Sequence, residues 1–322
     1  MDQTSNPFAD IGDMETFYER VAPYNLGCGW RSEDRDPGGK TYSSPYPNAH
    51  WKYADVRPAL DAAAKLISAE DAGRRILMCV NPVEGGGKPG IAPTLFHAYQ
   101  MVLPGETAPS HRHPMHALRV ILDATKMYSV VEGEKTLMET GDVVLTPGGM
   151  YHSHFHDGDD PAYWLDGLDA PFTRALHLVI FEPHPDVYEP VKVVAEVSPF
   201  RFSWSDIQTM LDKAEDDPEG YFPRRVRLDT STMPTLGAYV QRLEAGQTTR
   251  MYRTNANTSF APMQGSGVSI IEGEEIHWNR GDVFAAPTWR WIEHLATRDS
   301  VLFTMTDAPL LKFAKYYKFE GS

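Results

Sequence analysis

The sequence predicts a mainly β protein: two copies of one antiparallel β-sandwich or jelly-roll barrel behind an N-terminal extension of helix and loop. Two observations support this prediction, the spacing of the strand-like segments and an internal repeat. Through most of the 322 residues, short runs of β-branched and aromatic residues are separated by Gly, Pro and Asp. This pattern is typical of antiparallel sheets. A chain of this length also has enough residues for two cores of about 150 residues each.

The internal repeat sets the number of domains. The sequence VVEGE at Val130–Glu134 recurs as IIEGE at Ile270–Glu274, and the Gly-Asp-Val sequence at Gly141 recurs at Gly281, both at an offset of 140. Similarity at a fixed offset is characteristic of repeated structural units. We therefore predict an extension over residues 1–75, a first domain over 76–190, a linker over 191–224 and a second domain over 225–322.

Two helices are predicted outside the repeated domains. Apolar residues recur at helical spacing from Asp55 to Ser68 and again from Ser205 to Ala214. In the second segment, Ser205 and Gln208 have the spacing of a capping box. This spacing predicts that the second helix begins just after Ser205.

The composition excludes several classes of partner. Lys and Arg total 30 against 44 Asp and Glu, a net charge of −14, whereas a nucleic-acid-binding protein needs a basic face. No segment approaches the ~18 consecutive apolar residues of a membrane helix. The N-terminal residues lack the basic start and apolar run of a signal peptide, and two cysteines cannot form a disulfide framework. We expect a cytoplasmic protein that acts on a small molecule.

Histidine is concentrated in one part of the first domain. Six of the twelve histidines lie between His111 and His156. His111 and His113 precede a strand-like run, and residues two apart in a strand point to the same face. A third histidine from the strand after Pro147 would complete a three-nitrogen metal site. Imidazole ligands suit Fe, Mn, Zn, Ni or Cu, and three ligands leave coordination positions open.

The segments around these histidines resemble the two cupin motifs. Gly105–His113 matches the first motif and Gly141–His152 matches the second. The first motif usually carries a glutamate ligand four or five residues after its second histidine, but Ala117 and Leu118 occupy those positions here. The resemblance therefore implies a metal held by three histidines, namely His111, His113 and His152.

A more specific resemblance covers most of the chain. The segments Leu103-Pro-Gly-Glu-Thr-Ala-Pro-Ser-His-Arg-His113, Ala117-Leu-Arg119 and Trp164-Leu-Asp-Gly-Leu-Asp169 resemble the gentisate and salicylate 1,2-dioxygenases. This resemblance implies a bicupin with Fe(II) that uses O₂ to open an ortho-hydroxybenzoate ring between C1 and C2, and a homotetramer or similar assembly. The chain departs from the family in its short length and in His156, where the second motif usually has Asn.

The same resemblance implies roles for further residues. Arg119, whose even spacing from His113 places it on the inner face of a strand, matches a position that pairs with the substrate carboxylate. His154 is expected to contact the substrate hydroxyl or take its proton, with Asp166 orienting it. Two more residues match substrate contacts, Arg74 and Gln100. Three positions near the ring are apolar and favour salicylate or a 5-substituted salicylate over gentisate, namely Ile76, Phe96 and Ala98.

The second copy provides an internal comparison. Tyr252, Thr254 and Ile292 stand opposite the three predicted ligands, so we expect only the first barrel to bind metal, and we expect His294 to be structural. Two other functions stay open. One is a Zn or Mn cupin isomerase or hydrolase, which would turn over without oxygen. The other is a non-catalytic bicupin that binds a small molecule and contains no stoichiometric metal.

Overall fold

The computed structural model describes residues 6, 8–33, 39–84, 89–195 and 197–322. It consists of two compact units, one ending at Ser43 and the other spanning Ser44–Ser322. The first unit contains helix α1, which begins after Asp13 because the Asp13 carboxylate accepts a hydrogen bond from the backbone N of Thr16 at 2.8 Å. A short 3₁₀ turn, Ala22–Tyr24, follows it. Within the described ranges, no helix has the length and apolar character needed to span a membrane.

Helices are few and mostly short, and strands dominate. The α-helices of the described ranges are α1 Met14–Val21, α2 Tyr53–Ala64, α3 Ala69–Ala72, α4 Ala170–Ala175, α5 Trp204–Lys213 and α6 Ala308–Phe313. The strands up to the middle of the chain are β1 Ala49–Trp51, β2 Ile76–Met78, β3 Phe96–Val102, β4 Thr107–Arg112, β5 Ala117–Asp123, β6 Met127–Val131, β7 Glu134–Met138, β8 Val143–Thr146, β9 His152–His156, β10 Ala162–Leu168, β11 Glu182–Pro183 and β12 Val193–Val194. The later strands are β13 Arg201–Phe202, β14 Arg225–Leu228, β15 Gly237–Leu243, β16 Tyr252–Thr254, β17 Thr258–Gln264, β18 Ser266–Ile271, β19 Glu274–Asn279, β20 Val283–Ala286, β21 Ile292–Ala296, β22 Ser300–Thr306 and β23 Phe319–Gly321.

The strands form four sheets, two for each barrel. The first barrel consists of a sheet in the order β13-β8-β5-β10-β3-β2 and a sheet in the order β11-β4-β9-β6-β7-β12. The second barrel consists of β1-β20-β17-β22-β15-β14 and β19-β18-β21-β16-β23. All pairings but the one between β7 and β12 are antiparallel within these sheets. The predicted fold class, two β-barrels behind an N-terminal extension, is confirmed.

The largest buried cluster joins the two barrels. Leu118 and Val120 of β5 share this cluster with Phe303 and Met305 of β22. Because side chains alternate along a strand, Arg119, which lies between Leu118 and Val120, points into the first barrel instead. Packing between the barrels therefore fixes which residues of β5 face the interior of the first barrel.

Each barrel is preceded in the chain by a short strand that joins a sheet of the other barrel. Strand β1 pairs with β20 of the second barrel, and β13 pairs with β8 of the first barrel. The helices that follow are fixed in the same way, because the backbone N of Tyr53 donates to Asp282 at 2.8 Å and that of Trp204 donates to Asp142 at 2.9 Å. The internal repeat thus includes a strand and helix ahead of each barrel, which the sequence comparison missed.

The predicted helix limits need two corrections. Helix α2 ends at Ala64, and Ser68 instead caps α3 by accepting from the backbone N of Asp71 at 3.0 Å. Helix α5 begins at Trp204 with Ser203 as its N-cap, so the predicted capping box of Ser205 and Gln208 is wrong. Contacts with other parts of the fold explain why α5 begins earlier than predicted. The bond from Trp204 to Asp142 fixes the start of the helix, and the Gln208 side chain accepts from Arg242 at 2.7 Å.

Candidate metal centre and active site

Three histidines of the first barrel lie close together. His111 of β4 pairs with His152 of the neighbouring β9, and His113 follows β4 directly. One ring nitrogen from each of the three residues lies within 4.8 Å of the others. No other group of three or more His, Cys, Asp or Glu residues of this kind occurs in the described part of the chain. The structure therefore brings together the three residues that the sequence predicts as metal ligands.

Backbone carbonyls orient two of these rings. Nδ1 of His113 lies 3.0 Å from the carbonyl oxygen of Met115, and Nδ1 of His152 lies 3.1 Å from that of Met150. A carbonyl only accepts, so each Nδ1 carries the hydrogen and each Nε2 keeps its lone pair. This arrangement is typical of metal-binding histidines, whose other ring nitrogen donates to a fixed acceptor. The donor set thus fits a transition metal such as iron.

The three imidazoles are held in the neutral form. Burial, together with the nearby guanidinium of Arg119, lowers the pKa of His113 to about 4. Burial, together with Arg74, lowers the pKa of His111 to about 3, and burial places the pKa of His152 well below its ordinary value. Neutral imidazole is the form that binds a metal ion. At neutral pH none of these three rings is in the imidazolium form, which could not bind a metal.

A cavity of about 320 Å³ adjoins the histidines. Its volume is within the range of pockets that bind small molecules. Of the eleven residues predicted for the site, ten line it: Arg74, Ile76, Phe96, Ala98, Gln100, His111, His113, Arg119, His152 and Asp166. The exception is His154, which is fully buried behind the wall. The strands β2, β3, β5 and β10 supply one wall of this cavity and β4 and β9 supply the histidines.

Arg119 and Asp166 form a buried ion pair in the cavity wall. Nε of Arg119 lies 3.1 Å from Oδ1 of Asp166, and the two residues are only 4% and 7% exposed. Nη1 of Arg119 donates to Thr146 at 2.6 Å, and Nε1 of Trp164 donates to Asp166 at 3.1 Å. Burial raises the pKa of Asp166, and the adjacent guanidinium opposes this shift. The ion pair and the bond to Thr146 hold the Arg119 side chain, although its Nε forms no hydrogen bond of good geometry with Asp166.

His154 has a different partner from the one predicted. Its Nδ1 lies 2.7 Å from Oγ of Ser129, and its Nε2 has no hydrogen-bond partner. The expected contact with Asp166 is not formed, because Asp166 is engaged by Arg119 and Trp164. Burial lowers the pKa of His154 well below its ordinary value. The ring is therefore neutral, and its centroid is 6.0 Å from that of His152.

The second barrel also contains a buried histidine with a serine partner, but it lacks the three histidines of the candidate metal site. Nδ1 of His294 lies 2.7 Å from Oγ of Ser269, and its Nε2 also has no partner. Tyr252 pairs with Ile292 at the positions that His111 and His152 occupy in the first barrel. The buried histidine is thus common to both barrels, whereas the three-histidine cluster belongs to the first.

Sequence reasoning missed several residues of the cavity. Phe181 lies beside the histidines, with its ring centroid 5.6 Å from that of His113 and 6.1 Å from that of His111. Arg174 also lines the cavity and donates to the carbonyl oxygen of Pro89 at 3.1 Å. Both residues follow the barrel strands in sequence. Only the pairing of β11 with β4 brings Phe181 to the site, and no local pattern predicts that pairing.

The fold and the site together define the class of protein: a bicupin with a candidate metal centre in its first barrel. The family model of the cupin domain matches residues 98–167. The chain is 30% identical over 337 residues to the 5-aminosalicylate 1,2-dioxygenase of Comamonas sp, a match that covers 95% of this chain and 90% of that protein. It is 31% identical over 288 residues to the gentisate 1,2-dioxygenase of Ralstonia sp, with 81% of each covered.

A solved structure gives the same result. The crystal structure of a salicylate 1,2-dioxygenase from Pseudaminobacter salicylatoxidans matches with a TM-score of 0.85 and 25% identity, over 96% of this chain and 97% of that chain. The chain belongs to the gentisate and salicylate 1,2-dioxygenase family of ring-cleaving oxidoreductases. The resemblance noted in the sequence motifs is confirmed, and so is the prediction of a ring-opening dioxygenase.

Proposed function

We propose that this protein is an Fe(II)-dependent dioxygenase that inserts O₂ between C1 and C2 of salicylate or a 5-substituted salicylate. The observation that carries the proposal is the cluster of three neutral imidazoles in the wall of a cavity that also contains Arg119. This reaction requires an iron site, a cationic group that binds a carboxylate, and a cavity large enough for one ring. The relatives named for 5-aminosalicylate and gentisate indicate the same class of substrate.

His111, His113 and His152 are the residues that would hold the iron. When bound, Fe(II) supplies Lewis acidity and passes electrons between an aromatic substrate and O₂. The carbonyls of Met115 and Met150 keep two of the rings in the tautomer that leaves Nε2 unprotonated. The protein therefore orients these two ligands before metal arrives.

Arg119 is the proposed partner of the substrate carboxylate. Its Nε and Nη1 are engaged by Asp166 and Thr146, which leaves Nη2 directed by a rigid side chain. A charge-assisted hydrogen bond from a fixed guanidinium orients a carboxylate. Asp166 then acts as a positioning residue for Arg119. Arg74 and Gln100 line the same cavity and are proposed as further substrate contacts.

His154 is the proposed acceptor for the proton of the substrate hydroxyl, a role that requires neighbouring side chains to move, since the ring is fully buried beside His152 and does not line the cavity. Its imidazole is neutral and its Nε2 has no protein partner. Ser129 holds the opposite nitrogen at 2.7 Å and so fixes the ring. Oγ of Ser129 donates its hydrogen to Sδ of Met138 and therefore accepts from Nδ1, which leaves Nε2 with the lone pair that a general base needs.

The cavity wall favours a substrate without a 5-hydroxyl group. Ile76, Phe96 and Ala98 line the cavity, and none of them offers a hydrogen-bonding side chain. A hydroxyl buried against such a wall loses its hydrogen bonds to water and gains none. We therefore propose that salicylate or a 5-substituted salicylate is preferred over gentisate. An apolar wall rejects an added hydroxyl by about a hundredfold at most, so gentisate remains a slow substrate.

We also propose a homo-oligomer, a tetramer in the first instance. Large apolar side chains are exposed on the segment after α4, among them Leu178, Ile180, Phe181 and Val194. A segment with several large apolar side chains exposed is a candidate interaction site. Sedimentation analysis of the purified protein measures the number of subunits directly.

One experiment tests the central proposal. The protein is loaded with Fe(II) under nitrogen, its iron content is measured, and oxygen uptake is recorded with salicylate, 5-aminosalicylate and gentisate. We expect uptake of one O₂ per ring opened, with kcat/KM highest for salicylates that lack the 5-hydroxyl. Absence of uptake with every ortho-hydroxybenzoate in iron-loaded protein would refute the proposal. Turnover without oxygen would point instead to the zinc or manganese isomerase or hydrolase.

A further inference from the structure

The second barrel contains a cavity of its own, of about 340 Å³. It occupies the same place in the repeat as the candidate active site of the first barrel. Tyr252, which lines it, pairs with Ile292 in the register in which His111 pairs with His152. The second cavity therefore has the walls of a cupin site without the metal ligands.

The positively charged side chains of the second cavity stand at different positions from those of the first. Arg225 of β14 pairs with Gln241, as Ile76 of β2 pairs with Gln100. A cation thus stands where the first cavity has an apolar side chain. Lys312 adds a second cation, and none of the described residues that line the cavity is an acid.

The charge of Arg225 is only partly balanced within the described residues, because the Asp217 carboxylate acts on it from beyond ion-pair distance. Its guanidinium carbon lies 3.9 Å from the ring centroid of Tyr239 and 4.1 Å from that of Phe222, so aromatic faces hold it on both sides. Its Nε is buried without a hydrogen-bond partner, and no carboxylate of the described residues forms an ion pair with it. Buried polar atoms are otherwise nearly always satisfied, so an unpartnered Nε on a half-buried guanidinium is unusual. An anion in the cavity would supply the missing partner.

The remaining wall is suited to a flat molecule. The rings of Tyr252 and Phe319 stack with their centroids 5.8 Å apart and an interplanar angle of 22°, and Phe222 contacts Tyr252 edge-on at 4.7 Å. Aromatic walls stabilise flat apolar bodies by offset stacking and edge contacts. An inorganic anion would leave these faces uncovered.

We propose that the second barrel binds a small aromatic carboxylate, with the carboxylate on Arg225 and the ring packed against the aromatic side chains. The site is separate from the candidate metal centre and does not depend on the function proposed for the first barrel. It gives a role to a cavity that the ring-opening reaction leaves unused.

The test measures the binding of 4-fluorobenzoate to the full chain, using ¹⁹F NMR titration and equilibrium dialysis. Benzoates lack the ortho-hydroxyl and so report carboxylate binding alone. We expect one site in the second barrel of the wild type; a further site in the first barrel follows only from the carboxylate contact proposed for Arg119. R119M should remove the site in the first barrel, and R225M should weaken the other at least about tenfold, because a charge-assisted hydrogen bond is lost. R227M, on the same strand but exposed, is the matched control and should bind as the wild type does.

K312M serves as a second variant if R225M does not fold, and it should weaken the same site. Oxygen uptake by R225M at saturating substrate should equal that of the wild type, which separates this site from the first. A single site, insensitive to R225M and K312M, would overturn the proposal. Displacement of 4-fluorobenzoate from the second site by inorganic phosphate at equal concentration would overturn the assignment to an aromatic carboxylate.

Discussion

Arg74 places a guanidinium nitrogen 2.8 Å from Nδ1 of His111. A guanidinium only donates, so in this contact Nδ1 accepts and the hydrogen of the neutral ring moves to Nε2. The carbonyl oxygen of Pro109 lies 3.4 Å from the same Nδ1 and would favour the opposite tautomer. His111 thus has two competing partners, and only the contact with Pro109 leaves Nε2 free for a metal.

This competition predicts the effect of R74M on metal binding. Loss of the guanidinium removes the tautomer that blocks Nε2, so we expect the variant to bind Fe(II) or Co(II) as tightly as the wild type or more tightly. It should also raise KM for salicylate about tenfold, because a substrate contact is lost. Chelator competition measures the metal affinity, and steady-state kinetics measures KM. The control is R112M, since Arg112 pairs with Glu182 at the surface. Loss of metal by R74M alone would contradict the interpretation.

The two buried histidines that the barrels share allow a paired test of His154. If His154 takes a proton from the substrate, H154Q should lower kcat by at least about a hundredfold, the usual contribution of a general base. H294Q removes the equivalent histidine of the second barrel, which has the same serine contact. It should leave kcat within about twofold of the wild type. Metal content is measured in both variants and should not change.

The outcome against this role is equally clear. Similar losses of thermal stability in H154Q and H294Q, with kcat unchanged in both, would mean that both histidines are structural. In that case the contact with Ser129 serves only to satisfy a buried ring nitrogen.

The parts of the fold that the sequence predicted are those encoded locally. The Gly-Asp turns at Gly141 and Gly281 have φ of +91° and +88°, a conformation that favours glycine, so the repeat is visible in the sequence. The metal histidines follow from strand alternation at His111 and His113. In contrast, β1 and β13 are three and two residues long and carry no periodic pattern. Their pairing is decided by tertiary contacts.

The same distinction between locally encoded features and tertiary contacts holds at the candidate active site. Arg119 was predicted to face inward from its even spacing from His113, and it does so because its neighbours Leu118 and Val120 pack between the barrels. The partner of His154 was predicted wrongly because Ser129 comes from β6, and its proximity depends on the register of β6 against β9. The position of Arg225 in a second cavity needed the structure for the same reason. Residue types give the chemistry available, and sheet register decides which residues meet.

The docking of α2 on the second barrel predicts an effect of G281A. A Cβ at Gly281 would lie 2.6 Å from a ring carbon of Tyr53, and the residue has φ of +88°. Alanine at positive φ costs about 1 kcal/mol, and the collision adds about 1–3 kcal/mol of overpacking. G246A is the control, since Gly246 has φ of +84° and nothing within 4 Å of its Cβ position. Chemical unfolding should show a larger loss for G281A, and equal losses would exclude a role for the Tyr53 contact.

His97 links the two barrels and predicts a pH dependence of stability. Its Nδ1 donates to the carbonyl oxygen of Asp166 at 2.7 Å, so its Nε2 accepts from Ser259 of the second barrel at 2.8 Å. Burial lowers the pKa of His97 from 6.5 to about 4. The unfolded chain therefore binds the proton first, and the free energy of unfolding should fall as the pH drops below 6.5 and level off below 4. Between pH 6.5 and 5 the contribution is about 2 kcal/mol. Because H97Q cannot titrate, the difference in unfolding free energy between wild type and H97Q should shrink over this range, and a constant difference would rule out His97 as its source.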